Sequence, residues 1–212
     1  INMSNFLLVT SKTADGLPIG VSASVAQAIA DKLGVKLQLL PYNTPGEVSD
    51  DAGTGKWDIG NIGAEPQRAM KMDFTAAYAE IQSTYMVPPG SPIQTIADVD
   101  KEGNRISVSG RSAYGLWLEN NIKHATLMPT EGLDGSFNQF VEQKLEVLAG
   151  LRPRLVEDVE KMPGARILEG QFSAVQQAVG CNKGNDAAAK FLRDYVEELK
   201  KSGFIGDLIK KF

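Results

Sequence analysis

Apolar Val21, Val25, Ile29 and Leu33 recur at four-residue intervals after the turn Asp15-Gly16-Leu17-Pro18. That spacing predicts a helix with Ser22 as N-cap and Gly34 as its stop. Val35-Lys36-Leu37-Gln38-Leu39 then changes to strict alternation, the period of a half-buried strand, and Trp57-Asp58-Ile59-Gly60-Asn61-Ile62 reads as another strand after Gly55. A second series begins near Ile96. Residues 105–109 are predicted as a strand, Gly110-Arg111-Ser112 as a turn with Ser112 as N-cap, and residues 113–121 as a helix. Residues 136–144 read as helix, 145–149 as a short buried strand and 155–161 as helix. Ala188, Leu192, Val196 and Leu199 place a helix over residues 186–200, and a last amphipathic turn follows Gly203. Alternating elements imply an α/β sheet with parallel strands. Two such series without a flexible linker imply two lobes that share crossing segments, with a cleft between them.

Composition narrows the function more than the fold. A chain of 212 residues with 42% hydrophobic and 23% charged positions is an ordinary globular protein, long enough for one large or two small domains. A net charge of -4 with no extended Lys/Arg cluster excludes a nucleic-acid groove and favours a small ligand. No apolar run approaches the roughly 20 residues needed to cross a bilayer. The first residues lack the pattern of a signal peptide, and Ile1-Asn2-Met3 reads as the end of a strand, so a leader or a few mature residues are expected to have been removed. Cys181, the single cysteine, forms no internal disulfide and reads as a buried structural thiol. No nucleophile elbow, phosphate loop or two-histidine metal motif is present, so neither cofactor nor metal is expected. The one histidine, His124, falls in the polar helix end Asn121-Ile122-Lys123-His124 and is expected to be exposed.

Several segments, in order, resemble one family: Gly20-Val21, Ala30 to Gly34, Gly55-Lys56-Trp57-Asp58-Ile59, Arg68, and Asp73-Phe74-Thr75-Ala76-Ala77-Tyr78. The ending from Phe191 to Phe212, with Ser202-Gly203 between two helices, adds to them. Together they resemble the type II periplasmic substrate-binding proteins of ABC importers, bacterial extracellular solute-binding protein family 3, in particular its polar amino-acid-binding branch. The resemblance implies a two-lobed fold, each lobe a mixed, mostly parallel sheet flanked by helices. Residues 1–85 and 183–212 would form lobe 1 and residues 86–182 lobe 2, with hinge crossings near 83–88 and 176–180. It further implies a periplasmic, monomeric protein that closes on a small organic acid in an interlobe cleft and delivers it to a membrane permease. A cyclohexadienyl-dehydratase-like enzyme on the same fold and a ligand-sensing domain of a receptor kinase are the alternatives.

Arg68 is the leading site residue. The segment Asn61-Ile62-Gly63-Ala64-Glu65-Pro66-Gln67-Arg68 joins a buried strand to an expected helix start with Pro66 at its first position. Such a turn is expected to leave N–H groups free beside a guanidinium fork suited to a carboxylate. The resemblance assigns that grip to Arg68, with Asn61, Gly63 and Ala64 around it. Glu65, as a helix-start residue, is expected to serve the helix dipole. In the second lobe Ser112 and Ala113 occupy the place of the family's Gly-Ser/Thr-Thr turn; Ser112 is equally an N-cap. Asn5, Phe6 and Tyr78 would add amide contacts and an apolar wall, and Gln176 and Gln177 lie at the second crossing. Where amino-acid-binding relatives carry an Asp for the ligand ammonium, this chain reads Gly150-Leu151-Arg152-Pro153. That departure favours a carboxylate ligand without an α-amino group, with Arg152 available for a second polar oxygen.

Overall fold

In a computed structural model that describes residues 1–212, the elements run β1 (Ser11–Lys12), β2 (Pro18–Ile19), α1 (Val21–Leu33), α2 (Pro45–Asp50), β3 (Ile59–Ala64), β4 (Met72–Phe74) and β5 (Ala79–Val87). There follow β6 (Arg105–Ser109), α3 (Ala113–Asn121), β7 (Thr126–Thr130), α4 (Gly132–Glu142), β8 (Val147–Leu151) and α5 (Arg152–Glu160). The chain ends with β9 (Arg166–Ile167), β10 (Ser173–Asn182), α6 (Asp186–Lys201) and α7 (Phe204–Lys211). Contacts divide it into unit 1, Ile1–Ala79 with Gln176–Phe212, and unit 2, Glu80–Val175. β5 carries the chain out of unit 1 and β10 returns it.

In unit 1, Ser22, Val25, Ala26, Ile29 and Ala30 form the buried face of α1, and left-handed Gly34 ends the helix. The N-cap is Gly20, not Ser22, which lies inside the first turn. Gly20 is required there: its φ is 147°, and a Cβ would stand 2.5 Å from the Leu8 carbonyl oxygen. α2 starts with a capping box in which Thr44 and Glu47 satisfy each other's backbone N–H groups, with Pro45 in the first turn. β3 and β4 both pair antiparallel with β10, and Val48, Trp57, Ile62 and Met72 form a core cluster. α6 turns Ala189, Leu192, Val196 and Leu199 inward, and α7 packs on both α6 and α1.

Residues 35–39 are not the strand their alternation predicts. The alternation holds in part: Leu37 and Leu39 are half-buried and pack against Ile1, Val9 and Ala26, and Lys36 and Gln38 are exposed, but Val35 is exposed as well. A strand needs a hydrogen-bonded neighbour about 4.8 Å away. The chain finds one beyond this run, where Ile1 N donates to the Leu40 carbonyl at 3.0 Å and Met3 N to the Tyr42 carbonyl at 2.8 Å.

In unit 2, β7, β6 and β8 are parallel, and β8 is antiparallel to β5. Every residue of β8 is buried, as expected of a strand covered on both faces. Met86, Phe140, Leu145, Leu148, Leu155 and Ala165 form its core. The parallel ladders thus lie in unit 2, whereas β3, β4 and β10 of unit 1 pair antiparallel. Ser112 caps α3 as predicted, its Oγ accepting the Gly115 N–H at 2.9 Å. No helix is long and apolar enough to cross a membrane.

Candidate functional site

Five polar side chains are buried together beside the β3–β10 ladder of unit 1. The register sets Asn61 opposite Val179 and Gly63 opposite Gln177. The Tyr78 N–H donates to the Gln177 carbonyl at 2.9 Å, which fixes the tyrosine beside β10. Its phenol donates to Asn61 Oδ1 at 2.7 Å and accepts from Gln177 Nε2 at 3.4 Å. Ser22 Oγ lies 3.0 Å from the same oxygen. A phenol has one proton, already given to Asn61, so the Ser22 hydroxyl is the donor in that contact. Asn5 Nδ2 donates to Gln177 Oε1 at 3.3 Å, and Asn61 Nδ2 reaches the Ser22 carbonyl at 3.4 Å.

Burial pushes the Tyr78 phenol up to about 12, with the hydrogen bonds from Ser22 and Gln177 acting in the opposite direction. All five side chains are therefore neutral at physiological pH. Ser22, Asn61 and Gln177 are each no more than 2% exposed, and Asn5 and Tyr78 are 6% exposed. Phe6 stands half-buried in the neighbouring turn, where the Asn5 carbonyl accepts the Leu8 and Val9 N–H groups.

Arg68 contributes the buried positive charge of unit 1. Its side chain is 2% exposed, Nη1 donates to the Gly63 carbonyl at 2.7 Å, and Nε stands 3.8 Å from Glu65 Oε1. Gly63 ties it to the polar cluster, because Gly63 faces Gln177 across the ladder. Two expectations for this segment are corrected. Beyond Pro66 the chain makes a single 3-10 turn, Arg68–Met70, and not an α-helix. The N–H groups of Gln67 and Arg68 are also not free, since the Glu65 carboxylate accepts them at 3.0 and 2.6 Å. Glu65 is next to the turn in sequence and has the reach to close it locally.

In unit 2 the Ser112 hydroxyl donates to the Ser109 carbonyl at 2.7 Å while capping α3, whose first residue is Ala113. Arg152 begins α5. Its guanidinium donates to Gln82 Oε1 at 2.9 Å and to the carbonyls of Leu168 and Gly170, so it ties β5 and the approach to β10 to the helix start. Leu151 is buried beside it, at 7% exposure. Tyr85, Phe172 and Trp117 form a chain of ring contacts with centroids 4.4 and 5.4 Å apart. His124 is exposed, and Cys181 is buried with its thiol pushed up, chiefly by desolvation.

The structure thus brings Asn5, Asn61, Gly63, Arg68 and Tyr78 together within unit 1, with Ala64 opposite Gln176 in the same ladder. Ser112, Ala113 and Arg152 belong to unit 2. Ser22 and Gln177 are members of the cluster that periodicity did not single out. Ser22 was nevertheless legible, as a polar residue in the i, i+3, i+4, i+7 row of Val25, Ala26 and Ile29.

The sequence model of the bacterial extracellular solute-binding proteins, family 3, matches residues 5–212. The L-cystine-binding protein TcyJ of Escherichia coli is 22% identical over 200 residues, covering 93% of this chain and 75% of that protein. Among solved structures, a putative binding component of an ABC transporter from Wolinella succinogenes, complexed with lysine, has a TM-score of 0.78 at 18% identity, covering 95% of this chain and 88% of that one. AbpA, an amino acid ABC transporter substrate-binding protein of Streptococcus pneumoniae bound to L-arginine, has a TM-score of 0.76 at 20% identity, covering 99% and 91%. An ancestral amino-acid-binding protein, a precursor of cyclohexadienyl dehydratase, has a TM-score of 0.76 at 20% identity, covering 94% and 87%.

Proposed function

The chain belongs to the bacterial extracellular solute-binding proteins, family 3, and from that premise we propose that it is the periplasmic binding component of an ABC uptake system, capturing a small carboxylate that lacks an α-amino group and delivering it to a membrane permease without acting on it chemically. The observation that carries the reading is the buried group of unit 1, in which one guanidinium, Arg68, ion-paired with Glu65, stands with five neutral hydrogen-bonding side chains. A cation in that setting favours an anionic ligand group, while amides and hydroxyls position its polar oxygens. An ammonium group has the opposite requirement, a buried carboxylate acceptor, without which its desolvation costs several kcal/mol; Glu65, the carboxylate beside Arg68, is already held by the Gln67 and Arg68 N–H groups and by the guanidinium. At the end of β8 the chain offers buried Leu151 and the already engaged Arg152.

A second reading, an amino-acid ligand, is favoured by the relatives named for cystine, lysine and arginine. Matched pairs separate the two: succinate against aspartate, glutarate against glutamate, and 3-phenylpropionate against phenylalanine, titrated by calorimetry at neutral pH. The proposal requires the plain acid to bind more tightly within a pair. Equal or tighter binding of the amino acids would establish the second reading. Arg68→Ala should weaken acid binding by about 2–5 kcal/mol, a loss of roughly 30-fold or more, with an unchanged circular dichroism spectrum. That one unit closes on the other when ligand binds rests on the family resemblance, and a smaller scattering radius on acid addition is the expected result.

A further inference from the structure

Glu65 turns both carboxylate oxygens onto the backbone N–H groups of the turn that carries Arg68. Oε2 accepts the Gln67 N–H at 3.0 Å, Oε1 accepts the Arg68 N–H at 2.6 Å, and the same Oε1 faces Arg68 Nε at 3.8 Å. Neither partner of the ion pair is a surface group: the Arg68 side chain is 2% exposed and that of Glu65 is 9% exposed. A buried guanidinium is costly without a countercharge, and Glu65 supplies one from within the same turn.

We propose that Glu65 is a resident stand-in for the ligand's carboxylate, and so a residue that determines which charge the site accepts. The proposal rests on the reading of Arg68 as the ligand's anchor. While Glu65 occupies the two amides and the guanidinium edge, Arg68 is neutralised without ligand. An acid that binds at Arg68 must displace that carboxylate or lie against it, and two like charges on one buried cation repel. Glu65 therefore lowers acid affinity relative to an uncharged ligand of the same shape, and an acid is held only if its other contacts outweigh the exchange. Glu65→Gln keeps the shape and an accepting oxygen but removes the charge.

The experiment titrates wild type and Glu65→Gln with succinate, glutarate and 3-phenylpropionate and with the primary amide of each, folding being checked by circular dichroism. The expected result is that the acid-over-amide preference rises by at least about tenfold in Glu65→Gln. Because preference is a ratio, a merely structural change in the turn would weaken acid and amide together and leave it unmoved. If the wild type binds one of the acids and Glu65→Gln binds it with the same or a lower preference over its amide, the stand-in role is overturned while the carboxylate reading survives. If neither protein binds any of the acids, the carboxylate reading fails, and if Arg68→Ala binds them as the wild type does, Arg68 is not the anchor; the stand-in role falls in either case. Should Glu65→Gln be unstable, Glu65→Asp serves in its place. Shortening the chain withdraws the carboxylate from the two amides, and the same rise in preference, reduced in size, is required.

Discussion

Replacing Tyr78 by phenylalanine removes one oxygen from the centre of the buried cluster and leaves the ring in place. Three groups lose a partner at once: Asn61 Oδ1 at 2.7 Å, Ser22 Oγ at 3.0 Å and Gln177 Nε2 at 3.4 Å. Their residues are 2%, 1% and 1% exposed, so bulk water does not take over. A buried polar group left without a hydrogen bond costs about 1–3 kcal/mol. The three are coupled through one atom and the 3.4 Å contact is weak, so the sum is less than three full penalties, about 2–4 kcal/mol. In a chain of this size that corresponds to a fall in Tm of roughly 4–16 °C. Urea unfolding followed by circular dichroism measures it, with Tyr195→Phe as the control. Tyr195 makes a single 3.2 Å bond to the Ala28 carbonyl, and its loss should cost about 1 kcal/mol or less. A Tyr78→Phe protein within 0.5 kcal/mol of wild type, a threshold for ordinary surface changes, would refute the claim that Asn61, Ser22 and Gln177 depend on the Tyr78 oxygen.

Gly20→Ala should cost more than about 2 kcal/mol by the same assay, because the new Cβ meets a backbone oxygen that no rotamer change can move. Asp158→Ala should cost roughly 2–4 kcal/mol: Asp158 is 1% exposed, accepts from Arg154 Nε at 3.0 Å and pairs with Lys161 at 2.8 Å, so both cations lose their buried partner. The phenols of Tyr78 and Tyr114 are pushed up to about 12 by burial. The folded chain then keeps protons that the unfolded chain releases above pH 10, so this contribution to stability is present below pH 10 and is lost as pH rises towards 12. Absorbance at 295 nm should show fewer ionised tyrosines at pH 11 in the native protein than in urea. Cys181 should react with a thiol reagent far more slowly in the native protein than in urea, its thiol being 1% exposed and pushed up chiefly by desolvation.

Elements whose stability is local were legible along the chain. The α3 cap at Ser112, the left-handed stop at Gly34 and the inward row of α6 depend on residues within a turn or two of one another, and each stands where spacing put it. The approximate edges of β6 and β8 were legible for the same reason, although β8 starts two residues later than its apolar run. Among the candidate site residues, the motif around Arg68 and Tyr78 was readable as a resemblance, and Ser22 as a polar residue on an apolar face. What the tertiary structure alone decided involves partners distant in sequence. Residues 35–39 alternate as a strand does, yet whether they form one depends on a neighbour in space, and pairing with the segment Ile1 to Met3 starts only at Leu40. The direction of pairing at β3 and β10 joins residues more than a hundred positions apart, as do the contacts that bring Asn5 to Gln177. The orientation of Glu65 was likewise not readable, because a carboxylate beside a turn can face solvent or cap it. Burial of Arg68 within unit 1 is what makes the inward arrangement favourable.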